Sequence, residues 1–178
     1  MWEIFGQVFF GDSRRLVDEA NKTFRKADIE ALLRERGIAI YDTATAVRRL
    51  SGNASDKDLQ ILEKTDIPAL LRQIPLCRDM VCTGQKSFSV LTEDYGVPVP
   101  KMGEYHTFFI GQREMRLWRM PSSSRAFPMP LQEKAAYYTR MMQAVFPDME
   151  ILTAIENRPK APFDPQTYNT LHMEPTLK

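Results

Sequence analysis

The sequence predicts an α/β protein in which helices cover both faces of a largely parallel sheet, giving a three-layer sandwich. Two observations support this fold class. The spacing of apolar residues changes repeatedly along the chain, between a helical period and the short apolar or alternating runs typical of strands. The predicted helices and strands also alternate, which is the pattern of sheets whose parallel strands are joined by helices. A length of 178 residues corresponds to about one domain.

Five helices are predicted from apolar spacing and from residue types that favour helix ends. At the start of the chain, Trp2, Phe5 and Phe9 fall on one stripe of a helix. Aspartate favours the N-cap position, and proline favours the first helical turn. The predicted helices cover residues 1–10, Asp28 to Gly37, a segment that begins at Thr65 or Asp66, residues 85–95, and residues 130–146.

Four strands are predicted between these helices. The short apolar run over residues 38–42 indicates a buried strand, and residues 115–120 alternate as a part-buried strand does. Gly111 and Gln112 favour a turn between the last two strands. The predicted strands cover residues 38–42, 79–83, 105–110 and 115–120.

Composition limits the classes of function. The formal net charge is only +1, so any binding to nucleic acid must use a local basic patch. The two cysteines, Cys77 and Cys82, are too few for a four-thiolate metal site or a disulfide framework, and they fit a reducing compartment. We therefore expect a cytoplasmic protein with no metal and no cofactor. No apolar run approaches the roughly 20 residues that a membrane span requires.

The predicted domain covers residues 1–146. Residues 147–178 form a C-terminal extension that we expect to be partly extended or disordered. Its periodicity is weak from Asn157 onward, where it contains several prolines: Pro159, Pro162, Pro165 and Pro175.

Polar residues follow three of the predicted strands, and the segment from Arg119 to Ala126 is the most informative of these. Hydroxyls and backbone N–H groups bind phosphate oxygens, and arginine adds a bidentate charge. The carboxyl ends of parallel strands meet at one edge of a sheet, so we expect one shared site. The alternative for the last segment is an ordinary serine-rich turn. The candidate residues are Asp42, Thr43, Thr83, Gln85, Lys86, Pro121, Ser122, Ser123, Ser124 and Arg125.

Other chemistry finds little support in the sequence. The histidines, His106 and His172, do not stand near a serine in a nucleophile-elbow pattern. Gly84 lacks the companion glycines of a nucleotide-binding loop. No residues have the spacing of a metal site. The sequence therefore assigns no catalytic residue.

Four segments together resemble the uracil-DNA glycosylase superfamily, especially its uracil or G:T/U mismatch-specific branch. The resemblance extends from about residue 1 to residue 146, and its most specific part is the closing motif. The resemblance implies that Asp42, Thr43 and Thr83 bind a flipped base and that residues 85, 86 and 121–125 bind DNA. The segments are Trp2 to Gly6, Gly37 to Arg48, Thr83 to Lys86, and Met120 to Ser124.

The sequence departs from the family at two points. Nothing matches the first strand and its Gly/Pro-rich loop, which positions the attacking water in the family; we expect these to precede Met1. The uracil-specific branch has a histidine where this chain has Met120. The mismatch-specific branch also lacks that histidine. The resemblance predicts an N-glycosidic bond hydrolase, once that loop is supplied, acting on double-stranded DNA with uracil or a mispaired base. The alternative is a non-catalytic α/β module that binds a nucleotide or a protein.

Overall fold

The computed structural model describes residues 1–50 and 59–147, which form a mixed α/β structure. The described helices are α1 (Trp2–Phe10), α2 (Lys26–Glu35), α3 (Ile67–Gln73), α4 (Gln85–Tyr95) and α5 (Leu131–Val145). The described strands are β1 (Val17–Asp18), β2 (Thr23–Phe24), β3 (Ala44–Arg49), β4 (Leu59–Lys64), β5 (Asp79–Cys82), β6 (Tyr105–Ile110) and β7 (Arg113–Arg119). Except for Pro147, the predicted C-terminal extension lies outside the described residues.

A three-stranded sheet of order β5-β7-β6 organises the domain. Strands β5 and β7 are parallel, with Val81 opposite Trp118, whereas β6 and β7 form an antiparallel pair. The Asp79 carboxylate fixes the β5–β7 register, because it accepts hydrogen bonds from Trp118 Nε1 at 2.7 Å and from Arg116 Nη2 at 2.7 Å.

Alternating residues of β7 enter two separate apolar clusters. Leu117 is fully buried among residues of α3 and α4, including Leu71 and Phe88. Trp118, on the opposite face, belongs to a cluster that contains Phe5 of α1 and Tyr138 of α5. The period of two along a strand thus directs each face of the sheet to its own set of helices.

Helix α1 forms where the sequence predicts it, because its apolar stripe faces the second cluster. Ile4, Phe5, Val8 and Phe9 are buried there. The rings of Phe5 and Phe9 meet edge to face with centroids 5.5 Å apart, a favourable arrangement for aromatic pairs. Gly11, at a φ of 67°, ends the helix in the left-handed conformation that glycine adopts without strain.

The strand predicted at residues 38–42 is wrong. Those residues are not in a strand, and the side chains of Ile40 and Tyr41 are 52% and 65% exposed. The chain becomes extended only from Ala44, where β4 supplies an antiparallel partner. An apolar run forms a buried strand only if a sheet is available to cover it, and no sheet covers this run in the described residues.

The described residues also do not show the largely parallel sheet that the sequence predicts. Of their strand pairs, only β5–β7 is parallel. The β3–β4 hairpin stands apart from the three-stranded sheet, and an ion pair between Lys64 and Asp94 connects it to the C-terminal part of α4. The segment 51–58, which includes the predicted loop at 51–55, lies outside the described residues.

Candidate nucleic-acid interface

Two of the three polar strand ends lie side by side. Because β5 and β7 are parallel, Thr83 and Met120 leave the sheet at the same edge. The Met120 N–H donates a hydrogen bond to the Cys82 carbonyl oxygen at 3.0 Å, which continues the strand pairing one residue beyond β7. The segments 83–86 and 121–125 therefore begin at the same edge of the sheet.

Helix α4 begins directly after the first of these strand ends. Gly84 is its N-cap, and no side chain caps the helix there. The Phe88 N–H donates to the Gly84 carbonyl oxygen, so the preceding N–H groups of Gln85, Lys86 and Ser87 are the ones that a helix leaves without intrahelical partners. Such groups carry partial positive charge and favour anions.

The serine segment is an ordered turn whose hydroxyls keep their hydrogen atoms available. Ser122 Oγ accepts a hydrogen bond from the Ser124 N–H, and Ser124 Oγ accepts one from the Ala126 N–H, both at 3.2 Å. Each hydroxyl that accepts a bond can still donate its own hydrogen. Ser122 and Ser123 are half-buried, whereas Ser124 and Arg125 are exposed. The turn can therefore present O–H donors and a guanidinium to one ligand.

Two side chains of α5 donate hydrogen bonds to backbone carbonyl oxygens of this turn. Tyr138 is 1% exposed, and its hydroxyl donates to the Pro121 carbonyl oxygen at 3.0 Å. Lys134 is 4% exposed, and its Nζ donates to the Ser124 carbonyl oxygen at 2.6 Å. Its Nζ also lies 5.5 Å from the centre of the Phe127 ring, within the range of a cation–π contact.

Lys134 was missed by the sequence analysis, although a signal for it exists. It lies three residues after Leu131 and four before Tyr138, so it falls on the same helical stripe. A lysine within an apolar stripe is expected to be buried or to extend its charge to a polar site.

A cavity of about 140 Å³ opens between the serine turn and the start of α1. Burial lowers the pKa of the Met1 amino group beside this cavity; Glu3 raises it, and the nearby cations Lys134 and Arg125 lower it. The residues that line the cavity are Met1, Glu3, Ile4, Ser123, Arg125, Met129, Leu131 and Lys134.

The third predicted strand end has other partners. Thr65 Oγ1 donates to the Asp42 carbonyl oxygen at 2.7 Å, and the Thr65 N–H donates to the Thr43 carbonyl oxygen at 3.1 Å. The Asp42 side chain is exposed beside a shallow depression of about 430 Å³ at the base of the β3–β4 hairpin. None of these contacts connects Asp42 to Thr83 or to the serine turn.

The thiols offer little reactivity. Burial raises the pKa of Cys82 to about 12, and burial also raises the pKa of Cys77. A thiol with a raised pKa stays protonated near neutral pH and is a poor nucleophile. Within residues 1–50 and 59–147, no cluster of three or more histidine, cysteine or acidic side chains could hold a metal ion.

Comparison with known proteins assigns no family to this chain. No protein-family model, curated protein or solved structure matches this chain. Over the part of the chain that the structure describes, no helix is both long and apolar enough to cross a membrane. The candidate site is the sheet edge where segments 83–86 and 121–125 begin.

Proposed function

We propose that this sheet edge binds the phosphate backbone of double-stranded DNA. One observation carries the proposal: the hydrogen bond from Met120 to Cys82 joins a helix start, with Gln85 and Lys86, to a turn with serine hydroxyls and Arg125. Helix N–H groups, hydroxyls and arginine are the donors that most often contact DNA phosphates. A local surface of this kind suits a chain with a net charge of only +1.

We further propose that the protein is a DNA glycosylase-like base-excision repair protein that acts on uracil or a mispaired base. The support is the sequence resemblance of residues 1–146, together with the adjacency of two of its four segments at the proposed surface. A three-layer arrangement is supported by helices that pack on both faces of the β5-β7-β6 sheet. A largely parallel sheet would require a further parallel strand beside β5, which is an outer strand of the described sheet.

The proposed reaction begins when a poorly paired base leaves the stack, at a cost of about a few kcal/mol. Contacts from segments 83–86 and 121–125 to phosphates would hold the backbone in the distorted geometry. The N-glycosidic bond then breaks as positive charge develops on the sugar, and the base departs with the bonding electrons. The oxygen of a water molecule bonds to the sugar carbon, and the proton that this water releases balances the proton that the departing base takes up. Thr83 lies at this edge and can hydrogen-bond the base. Asp42 and Thr43 take part in the proposed base pocket only if the segment 40–43, which precedes β3, moves toward it.

The test is a glycosylase assay on duplexes that contain uracil or a G:T mismatch. The protein is assayed as the 178-residue chain and with any in-frame upstream residues included. Cleavage after alkaline treatment of the abasic product supports the glycosylase proposal. DNA binding without base release from either form would instead favour a non-catalytic binding module. Neither binding nor base release would contradict both parts of the proposal.

A further inference from the structure

Among the described residues, Lys134 is the one charged residue that is buried. Its side chain is 4% exposed, yet none of the ion pairs among the described residues includes it. Its described partners are one neutral carbonyl oxygen, from Ser124, and the face of the Phe127 ring. A buried ammonium is expensive unless an anion compensates its charge.

The acidic residue that lines the cavity, Glu3, already has a partner. Glu3 Oε1 pairs with Arg14 Nη1 at 3.0 Å. Arg125 also lines the cavity, and it forms no ion pair within the described residues. The cavity wall thus carries the Lys134 ammonium, the Arg125 guanidinium and the Met1 amino group, and no carboxylate among the described residues forms an ion pair with either side chain.

We propose that Lys134, with Ser123 and Arg125, forms an anion site that takes one phosphate group in this cavity. The volume of about 140 Å³ is enough for several water molecules at about 30 Å³ each, and so for a small tetrahedral anion. An ammonium has three donors, and the Ser124 carbonyl uses one of them, which leaves two for phosphate oxygens.

The site explains why a lysine stands within the apolar stripe of α5. Lys134 binds the turn through the Ser124 carbonyl and supplies charge to a ligand that the same turn contacts through Ser123 and Arg125. The anion site follows from the described geometry, while its assignment to a phosphate of the DNA backbone rests on the proposed function. The two can therefore fail separately.

The first arm of the test uses inorganic pyrophosphate, followed by thermal unfolding. Saturating pyrophosphate should raise the Tm of the wild-type protein by about 3 °C or more. Lys134→Met, which keeps most of the length of the side chain without its charge, should lose that response, and Lys134→Arg should keep part of it. Lys26→Met is the matched control, because the Lys26 side chain is 87% exposed on α2.

The second arm measures the affinity for a duplex oligonucleotide as a function of salt. Lys134→Met should weaken binding by at least about tenfold and should reduce the salt slope by about 0.9, as expected when one phosphate contact is lost. Lys26→Met should change neither quantity. A Lys134→Met protein with wild-type affinity and slope would overturn the assignment to DNA and leave the proposed function standing.

The outcomes separate the two claims. A pyrophosphate response that depends on Lys134, without any DNA binding, would support the anion site and contradict the proposed function. A wild-type protein that responds to neither ligand, or a Lys134→Met protein that keeps the full pyrophosphate response, overturns the anion site. If Lys134→Met does not fold, NMR of the wild-type protein decides. Pyrophosphate must then shift the amide signals of residues 123–125, and unchanged signals refute the site.

Discussion

The hydroxyl of Tyr138 provides a direct test of how the serine turn is held. It donates to the Pro121 carbonyl oxygen at 3.0 Å, at the point where the chain leaves β7 and enters the turn. Both residues are fully buried, so water cannot replace the bond. In Tyr138→Phe the ring remains, including its edge-to-face contact with Phe5 at 6.5 Å. The substitution therefore removes one hydrogen bond and little packing.

The expected loss follows from the carbonyl that is left behind. Removing one partner of a buried hydrogen bond costs about 1–3 kcal/mol, because the other partner stays desolvated. For a protein of this length, about 3 °C of Tm corresponds to each kcal/mol, so the Tm should fall by roughly 3–9 °C. Because the Pro121 carbonyl anchors the turn, the affinity for duplex DNA should fall as well.

The assay compares thermal unfolding of Tyr138→Phe with that of Tyr137→Phe, which removes the hydroxyl of a half-buried tyrosine on the same helix. Tyr137→Phe should leave the Tm within about 1 °C of the wild type, as expected for a substitution away from a buried bond. Equal Tm values for the two variants would refute the role assigned to the Pro121 bond.

Three further predictions concern other parts of the molecule. Gly6→Ala should lower the Tm although alanine normally stabilises a helix interior by about 1 kcal/mol, because its Cβ would lie 2.6 Å from the Asp12 carbonyl oxygen; a raised Tm would contradict this contact. The free energy of unfolding in urea should fall as the pH rises above about 9, because burial raises the pKa of Cys82 to about 12 and the unfolded chain releases the proton first; Cys82→Ala should reduce that slope, and an unchanged slope would contradict it. Asp42→Ala should leave duplex affinity unchanged and, if base release is observed, reduce its rate or its discrimination between bases; a large loss of duplex affinity would contradict this role for Asp42.

The helices could be predicted from the sequence because their signals are local. Residues 85–95 are helical as predicted, and Asp66 caps α3 by accepting a hydrogen bond from the Ala69 N–H at 2.9 Å. Strand β6 also has its predicted limits, while β7 covers 113–119 instead of 115–120. The second helix begins at Lys26, which places Asp28 in its first turn and not at the cap.

Two of the strands that were missed, β3 and β4, depend on partners that are not adjacent in the sequence. The alternation of apolar and polar residues over residues 59–64 is short. These residues form β4 because they pair with β3, which lies earlier in the chain. The run at 38–42 is the opposite case, since its apolar residues carry the local signal of a strand but find no partner among the described strands. Local sequence patterns do not show whether a strand will find a pairing partner.

The candidate site was predicted in part. The sequence predicted the two strand ends at 83–86 and 121–125, and the parallel pairing of β5 with β7 explains why these segments begin at the same edge of the sheet. The sequence also predicted Asp42 in the same site, because it predicted a strand at residues 38–42 that the described structure does not contain. Lys134 was missed because its role arises from a turn ten residues earlier, at Ser124, which folds back over α5.

The most direct test of the central claim is the salt dependence of duplex DNA binding by Arg125→Ala. Arg34→Ala is the control, because the Arg34 side chain is 78% exposed on α2 and outside the proposed surface. If segment 121–125 binds the DNA backbone, Arg125→Ala should weaken binding to all sequences alike. It should also lower the slope of log K against log salt by about 0.9, and Arg34→Ala should lower neither. If affinity and slope are unchanged in Arg125→Ala, the segment is only a turn and the proposed DNA-binding surface is contradicted.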